Sequence, residues 1–534
     1  MKNHLLHAAL YACILTLASG CARSNFFTPT PITDAEQYER LKQTNPSDVD
    51  SVTIQAGRHY KRSGLHTFFW GKHYRDVWAA PVKVEVFDMT RTRGGLSIEK
   101  LGGGMQTTSL TLADKDGFTY ALRSLDKDPL AVLPPLWRKS FVTNVLRDQT
   151  SAINPYAALV LPPMAEAAGI PHSTPQLVYV LPSDTTFGEH QDKFQDGVYL
   201  IEEKYNDEKS IPDQLTGEAK DIASSKKMLK NRFGDDDHFI NQKAFAKARL
   251  FDILINDWDR HEGQWEWAVA EEGGNTIYSP IPKDRDNAFF QFDDGIIPWL
   301  FSRKWAIRKF ESFDKEYKDV YALMINSQFI DARAMTELNS EDFQELAREL
   351  QAALTDEVIE RSVRQFPDSV HRLVGPSTVQ KLKNRRDLLP EAAREFYLNL
   401  AKDALVIGTD KEDKFEVKRL NGEETSVTVY RLDDDKQVYH RVFKRSETKQ
   451  ITLHGLAEDD EFEVSGEVDR GIKVVIVGGR GEDKIEDTSR VRKGWSRHTI
   501  VYDTSRGNEI EFGPETKDKT THKVKVHAFD REGF

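Results

Sequence analysis

The chain has 534 residues, a formal net charge of −12, and 39% hydrophobic and 10% aromatic residues. This length allows two or three domains, and the hydrophobic content is typical of a globular chain rather than a disordered one. The negative balance, without a Lys/Arg-rich block interleaved with aromatic residues, excludes nucleic acid as an expected partner.

The first twenty residues have the pattern of a secretion signal. Lys2 gives a positive start, an apolar stretch runs from Leu5 to Leu17, and small residues precede Cys21. That stretch is too short to span a bilayer. The small residues before the cysteine resemble the lipobox of bacterial lipoproteins. This resemblance implies cleavage after residue 20 and a palmitate-type lipid anchor on Cys21; an ordinary cleaved signal is the alternative.

Cysteine usage agrees with export to the cell envelope. The two cysteines are Cys13, inside the signal, and Cys21, so the mature chain has no pair to oxidise. The residues after Cys21 carry no acidic inner-membrane retention signal, which favours the outer membrane. The lipid would make the membrane the first partner of this chain, and an outer-membrane protein is a second expected partner.

Strand-like patterns follow a predicted tether over residues 21–54, in which we expect one short helix. Residues 109–125 contain two strands joined at Asp116-Gly117, which is a strong hairpin signal. Other strand-like segments lie at residues 82–89, 175–181 and 197–205. A helix is predicted between Asn154-Pro155 and Gly169. Residues 55–205 are therefore predicted to form one mixed α and β region.

Helical periodicity dominates residues 206–404, and short strands with Gly and Asp turns occupy residues 405–534. We therefore predict an α+β chain, in which a two-lobed domain precedes a β-rich domain that is either a solenoid or a sandwich.

A short repeat marks the β-rich region. Gly, Asp and an apolar residue recur at one constant offset, first as Gly455, Asp460 and Phe462 and then as Gly478, Asp483 and Ile485. The second copy, GGRGEDKIE at residues 478–486, matches the nonapeptide of calcium-binding β-rolls. A single full copy is weak support, because such a site needs stacked turns. Calcium at Asp460 and Asp483 is one expectation; a metal-free solenoid or sandwich turn is the alternative.

The densest chemistry lies in two segments, residues 250–267 and 278–292, separated by a hairpin-like gap. They bring together acidic and imidazole side chains at Asp257, Asp259, His261, Glu262, Asp284 and Asp286. Clustered carboxylates repel one another unless a cation neutralises them, and Mg²⁺ or Mn²⁺ suits carboxylate and amide oxygens. A solvated pair of acidic surface loops is the alternative.

An Asp-Arg-His after an apolar helix, then an amide, a hairpin and a further Asp, resembles the catalytic core of atypical kinases. The secretory-pathway and spore-coat kinases have the nearest patterns. The resemblance implies that Asp259 is the base, that Gln264 and Asp284 bind metal, and that Asp286 assists.

The resemblance extends upstream to a nucleotide site. Residues 101–110 resemble the glycine-rich turn, residues 117–124 the third strand, and residues 197–205 the hinge. It implies phosphate contacts from Gly102, Gly103 and Gly104, a phosphate clamp from Arg123 or Lys127, and a ribose contact from Glu202 or Glu203.

Two departures from the kinase pattern bear on activity. Arg123 stands where the ATP-binding Lys is expected, which keeps the charge but changes the geometry. The helix that should supply the partner Glu offers only Gln149 and Glu166 as candidates.

The mature chain also resembles the middle region of larger Bacteroidetes envelope proteins that combine metallophosphoesterase and surface-antigen domains. Three functions follow as hypotheses. The first is phosphoryl or nucleotidyl transfer from a nucleotide to a hydroxyl. The second is a non-catalytic kinase-like scaffold for an outer-membrane partner, and the third is a metal-dependent phosphohydrolase.

Overall fold

A computed structural model describes residues 21–102, 108–212, 215, 219–493, 496–522 and 529–531. The predicted signal, together with Gly103 and Gly104 of the glycine-rich turn, lies outside these described residues. Within them, no helix has both the length and the apolar character that a membrane crossing requires.

The N-terminal lobe is built on one seven-stranded sheet flanked by short helices. Its strands are β1 (Ser51–Ile54), β2 (Val82–Val86), β3 (Leu96–Gly102), β4 (Ser109–Asp114), β5 (Thr119–Ser124), β6 (Gln176–Val180) and β7 (Gly197–Glu203). Its helices are α1 (Ala35–Leu41), α2 (Gly64–Trp70), α3 (Arg75–Trp78), α4 (Phe141–Gln149), α5 (Ala157–Ala167) and α6 (Gln191–Phe194). The strand order is β1-β2-β6-β7-β5-β4-β3, so the predicted third strand, β5, lies beside the predicted hinge strand, β7.

The β4–β5 hairpin confirms the turn predicted at Asp116-Gly117. Gly117 adopts a φ of 87°, which glycine tolerates at no steric cost. The Asp114 carboxylate accepts backbone N–H groups from Asp116 and Phe118, each at 2.9 Å, and so closes the turn. Alternate residues of these strands, including Leu112 and Leu122, are fully buried. One face of the sheet therefore supplies a core of its own.

Residues 21–54 differ from the predicted tether, because they pack against the lobe. Phe26 and Ile32 are buried in the main core, and residues 51–54 form β1, which pairs antiparallel with β2. The Phe26 ring lies edge-on to His59, with 5.7 Å between ring centroids. Widely spaced apolar residues in a polar segment do not form a periodic pattern, which is why the sequence suggested a linker.

The second lobe is mainly helical and carries one small sheet. Its helices are α7 (Ser225–Gly234), α8 (Gln242–Ile255), α9 (Ile296–Phe301), α10 (Gln328–Ala334), α11 (Ser340–Ala353), α12 (Asp356–Val363), α13 (Asp368–Asp387) and α14 (Leu389–Ala401). Its strands β8 (Ala219–Ser224), β9 (His238–Ile240), β10 (Trp265–Glu272) and β11 (Asn275–Pro282) are ordered β8-β10-β11-β9.

Helix α8 runs through the centre of this lobe, and the residues from Leu250 to Ile255 are all buried. Asn241 caps its first turn by accepting the Ala244 N–H. Asn256 ends the helix in the left-handed conformation, with a φ of 61°. The chain then enters the loop that holds Asp259.

The C-terminal domain is a β-solenoid rather than a sandwich, because its successive turns pair in parallel. Its strands are β12 (Asp403–Ile407), β13 (Asp413–Arg419), β14 (Glu424–Arg431), β15 (Gln437–Lys444), β16 (Gln450–Ala457), β17 (Glu461–Ser465), β18 (Glu467–Val468), β19 (Lys473–Arg480), β20 (Lys484–Asp487), β21 (Arg490–Val491), β22 (Thr499–Tyr502), β23 (Glu509–Glu511) and β24 (Thr516–Asp518). One sheet has the order β12-β16-β19-β22-β24 and a second the order β15-β14-β13-β17-β20-β23, while β18 and β21 form a small two-stranded sheet.

The repeat found in the sequence is one solenoid turn. Phe462 pairs directly with Ile485 in the parallel register of β17 and β20, and both are buried. Each turn thus stacks the same apolar position on the one before it, which builds a continuous core. The predicted α+β class, with a β-rich C-terminal region, is confirmed.

Candidate functional site

A cavity of about 870 Å³ lies between the N-terminal sheet and the loops of the second lobe. Six of the predicted site residues line it, namely Arg123, Lys127, Asp259, Gln264, Asp284 and Asp286. They come from strand β5 and the turn after it, the loop after α8, and the loop after β11. The structure therefore brings together residues that are far apart in the chain, since Arg123 and Asp286 are 163 positions apart.

The loop after α8 is held by a buried network centred on Asp252. Arg249, Arg260 and Arg285 each contact the Asp252 carboxylate, at 3.2, 3.0 and 3.0 Å. Arg260 also donates to the backbone carbonyls of Lys283 (2.6 Å) and Gln264 (3.2 Å). The arginine thereby ties the Asp259 loop to the Asp284 loop.

Asp259 lies at the cavity wall with one carboxylate oxygen held in place. The Asn326 side-chain amide donates to Asp259 Oδ1 at 2.7 Å, and the Asp259 N–H donates to Asp257 at 3.2 Å. Asp257 itself is fully buried. Burial raises its pKa to about 7 despite the opposing charge of Arg260.

Asp284 and Asp286 face two cations. Arg123 Nη1 lies 2.6 Å from Asp284 Oδ1, and Lys127 Nζ is hydrogen-bonded to Asp286 Oδ2. Asp284 adopts a φ of 55°. This conformation is sterically costly for a residue with a Cβ and is found mostly at turns and functional sites.

The two neighbouring carboxyl groups have opposite pKa shifts. Burial raises the pKa of Asp284, but the charges of Arg123 and Lys127 outweigh it and lower that pKa to about 2. Burial and the negative charge of Asp284 raise the pKa of Asp286 to about 7. Neighbouring carboxyl groups whose pKa values are shifted in opposite directions are typical of sites that bind cations or move protons.

The cavity presents oxygen atoms of the kind that hard divalent cations prefer. Asp284, Asp286 and Gln264 present carboxylate and amide oxygens, which Mg²⁺ and Mn²⁺ prefer. Among the described residues, no three or more His, Cys, Asp or Glu side chains are grouped to hold a metal ion. Mg²⁺ commonly uses only one or two carboxylates and completes its shell with phosphate oxygens and water.

Glu202 has a contact that the sequence did not predict. Its Oε1 lies 3.2 Å from Arg123 Nη1, and Ser173 donates to its Oε2 at 2.7 Å. Glu203 points elsewhere and accepts the Thr174 N–H at 2.7 Å. A ribose contact from either residue stays a prediction. Gly102 ends β3 opposite Ser109, where a Cβ would lie 2.8 Å from the serine oxygen.

The helices α4 and α5 do not supply the partner of Arg123 in the described part of the chain. Gln149 instead contacts the His73 ring (3.1 Å) and donates to the Trp70 carbonyl (3.4 Å). Glu166 lies near the end of α5. Arg123 pairs instead with Glu202 on β7 and with Asp284.

Asn326 is a second contact that the sequence did not predict. It lies 67 residues after Asp259, in a segment with no motif, so no local signal marks it.

Asp460 and Asp483 lie in the solenoid, in a column of carboxylates on successive turns. Asp460 accepts the Asp413 N–H at 2.8 Å, and Asp483 accepts the Asp460 N–H at 3.0 Å. Gly455 and Gly478 make room for these groups, because a Cβ at either position would lie 2.1 or 2.2 Å from an aspartate oxygen. Calcium binding stays a prediction here.

No protein-family model matches this chain, and no curated protein matches it. Among solved structures, the proinflammatory kinase CtkA of Helicobacter pylori aligns at 13% identity, with a TM-score of 0.32, over 58% of this chain and 98% of its own. HipA, from a Shewanella oneidensis toxin–antitoxin complex with HipB and operator DNA, aligns at 11% identity, with a TM-score of 0.26, over 55% of this chain and 66% of its own. TM-scores below 0.5 do not establish a shared fold, so the site geometry has to support any function.

Proposed function

We propose that this chain is an envelope lipoprotein with an atypical kinase-like domain that transfers a phosphoryl group from a nucleotide to a hydroxyl. One observation supports it above the others. Arg123, Lys127, Asp259, Asp284 and Asp286 meet in one cavity between two lobes. The strand order β3-β4-β5-β7-β6 also sets the glycine-turn strands, the cation-bearing strand and the hinge strand side by side, as nucleotide binding between lobes requires.

Each residue has a definite role in this proposal. Asp259, oriented by Asn326, accepts the proton of the acceptor hydroxyl. Arg123 and Lys127 hold the phosphate oxygens and offset their negative charge. Asp284, with help from Asp286 and Gln264, would hold Mg²⁺ or Mn²⁺, which when bound neutralises charge on the phosphates.

The envelope location rests on the lipobox-like sequence at Cys21. The thiol is exposed in the structure, so it is accessible for acylation. A lipid there would hold the protein at a membrane, and we place it at the outer membrane. We also propose that the kinase-like region is related to the middle region of the larger Bacteroidetes envelope proteins.

A non-catalytic scaffold is the second candidate. It is favoured by the ion pairs of Arg123, whose partners are Glu202 and Asp284 rather than a glutamate on a helix. In active kinases the lysine–glutamate pair couples the helix to catalysis. A scaffold would use the same cavity or the solenoid to bind an outer-membrane protein.

Calorimetry on the full chain separates these functions. ATP is titrated with Mg²⁺ or Mn²⁺ into the unaltered protein and into Asp284→Asn, Asp259→Asn and Asp293→Asn. Asp293 pairs with Lys318 at 3.4 Å and is absent from the cavity lining, so its variant is the matched control.

The kinase hypothesis is supported if nucleotide binding depends on the metal ion, is lost in Asp284→Asn, and is kept in Asp259→Asn and Asp293→Asn. Metal binding without nucleotide preference, with phosphate release from a phosphate ester, favours the phosphohydrolase. If neither metal-dependent nucleotide binding nor phosphate release is observed, catalysis is contradicted and the non-catalytic scaffold remains.

A further inference from the structure

Besides its charged side chains, the cavity has an apolar lining of larger area, which we call its apolar end. Beyond the carboxylates, its wall is formed by Phe141, Val145 and Leu146 of α4 and by Phe290 and Phe310 of the second lobe. A volume of about 870 Å³ is in the range that holds a whole small-molecule ligand. Apolar walls gain nothing from a sugar or a polar side chain, but they favour a hydrocarbon ligand.

The helices at the edge of the cavity expose apolar side chains to the outside. Helices α2 and α9 pack together, and Trp70 and Phe301 on them line the cavity. The outer faces expose Leu65 (73%) and Phe68 (60%) on α2, and Trp299 (50%) on α9. Clustered exposed apolar residues of this kind mark an interaction surface, and tryptophan suits the membrane–water interface.

Cys21, the residue expected to carry the lipid, lies against helix α4, which forms part of the cavity wall. Cys21 forms a β-bridge with Ser140, the residue that caps α4. The Asn144 side chain on α4 donates to the Cys21 carbonyl at 3.0 Å. Leu136 and Trp137, just before this helix, are also exposed. Acyl chains on Cys21 would therefore hold the side of α4 close to the bilayer surface.

We infer that the acceptor is a membrane lipid with a free hydroxyl, whose hydrocarbon tail occupies the apolar end of the cavity. The inference rests on the proposed phosphotransferase function. Asp259 takes the hydroxyl proton as the lipid oxygen bonds to the terminal phosphorus of a nucleoside triphosphate. The bond from that phosphorus to the bridging oxygen breaks, and the nucleoside diphosphate leaves. The proton on Asp259 then passes to water.

Tryptophan quenching measures lipid entry without any nucleotide. Trp258 lines the cavity beside Asp259, so a brominated tail in the cavity should quench its fluorescence. The full chain with Cys21→Ser, which carries no lipid of its own, is mixed with phosphatidylcholine vesicles containing brominated dioleoylglycerol. Brominated phosphatidylcholine, which has no free hydroxyl, is the comparison lipid.

We expect dioleoylglycerol to quench more strongly than phosphatidylcholine, and the difference to become smaller in Trp258→Phe, in which Trp70 is the remaining tryptophan of the cavity lining. Val145→Phe fills the apolar end and should weaken dioleoylglycerol binding about tenfold or more, equivalent to about 1.4 kcal/mol. Leu420→Phe, at an exposed solenoid position, is the matched control and should bind as the Cys21→Ser chain does.

Three results of the quenching and binding measurements would overturn the inference. The first is equal quenching by the two lipids, and the second is equal binding by Val145→Phe and Leu420→Phe. The third is binding by Cys21→Ser but not by the lipidated chain, which would mean that the protein's own acyl chains fill the cavity.

Phosphate transfer is measured separately. Radiolabelled ATP should label dioleoylglycerol but not free glycerol, and labelling of glycerol alone would equally overturn the inference. Because quenching needs no nucleotide and the ATP titration needs no lipid, failure of the acceptor site and failure of the proposed function are distinguishable.

Discussion

Arg123 Nη1 lies 2.6 Å from Asp284 Oδ1 and 3.2 Å from Glu202 Oε1, so one guanidinium joins the strand sheet of the first lobe to the acidic loop of the second. The charge of Arg123 is the largest of the influences that lower the pKa of Asp284 against the opposing effect of burial. Arg123 therefore connects the two lobes and is also the residue proposed to hold the phosphate oxygens.

Arg123→Met should destabilise the protein and weaken nucleotide binding together. Without the cation, Asp284 and Glu202 lose their shared partner, at a cost of about 1–3 kcal/mol for each carboxylate. Arg123→Lys keeps the charge and should retain part of the nucleotide affinity. Chemical denaturation and ATP calorimetry measure the two effects. Unchanged affinity in Arg123→Met would contradict a phosphate clamp at this position.

Arg260→Met should lower the free energy of unfolding by about 3–5 kcal/mol, because it removes a buried charge from the Asp252 network. It also leaves the carbonyls of Lys283 and Gln264 without this donor. Arg490→Met, at an exposed solenoid position, is the control and should cost less than about 1 kcal/mol. Equal denaturation midpoints for the two variants would show that the network does not stabilise the loops.

Stability of the solenoid should fall as the pH rises from about 4 towards 8. Burial raises the pKa of Asp460 to about 10 and that of Asp483 to about 7, whereas both are near 3.9 when unfolded. The folded state therefore holds protons that the unfolded state loses, and each carboxyl costs up to about 1.4 kcal/mol per pH unit in this range.

Scanning calorimetry of the full chain between pH 5 and pH 8, in the presence of a chelator, measures this slope. Asp460→Asn should reduce it, and Asp433→Asn, in an exposed hairpin loop, should not. A slope of the opposite sign would refute the protonated column. Recovery of stability at pH 8 on adding Ca²⁺ would support the calcium site predicted from the nonapeptide.

Gly478→Ala should destabilise the solenoid by about 1–3 kcal/mol, the usual cost of overpacking. Its Cβ would lie 2.2 Å from Asp483 Oδ2 and 2.3 Å from Asp503 Oδ2. Gly422→Ala is the matched control, since no atom lies within 4 Å of its added Cβ. Denaturation midpoints that do not separate the two variants would contradict the stacked carboxylate geometry.

Phe26→Ala should cost about 3 kcal/mol, as expected for a buried aromatic side chain. A free tether would predict no effect. Asn25→Ala, at the exposed neighbouring position, is the control. Thermal unfolding measured in parallel for both variants decides between a packed and a free N-terminal segment.

The sequence by itself determined the local features of this protein. The turn at Asp116-Gly117, the α5 helix that follows Asn154-Pro155, and the spacing of the Asp460 and Asp483 repeat all depend on neighbouring residues, and each is present in the structure. The sequence also predicted that Asp259 and Asp284 lie close together, and both line one cavity in the structure.

The tertiary structure alone decided which distant side chains meet. Glu202 pairs with Arg123 across neighbouring strands, and Asn326 reaches Asp259 from another segment of the second lobe. Residues 21–54 pack against the N-terminal lobe despite their polar composition. These contacts are set by strand order and core packing over long chain separations, for which periodicity and motif spacing contain no signal.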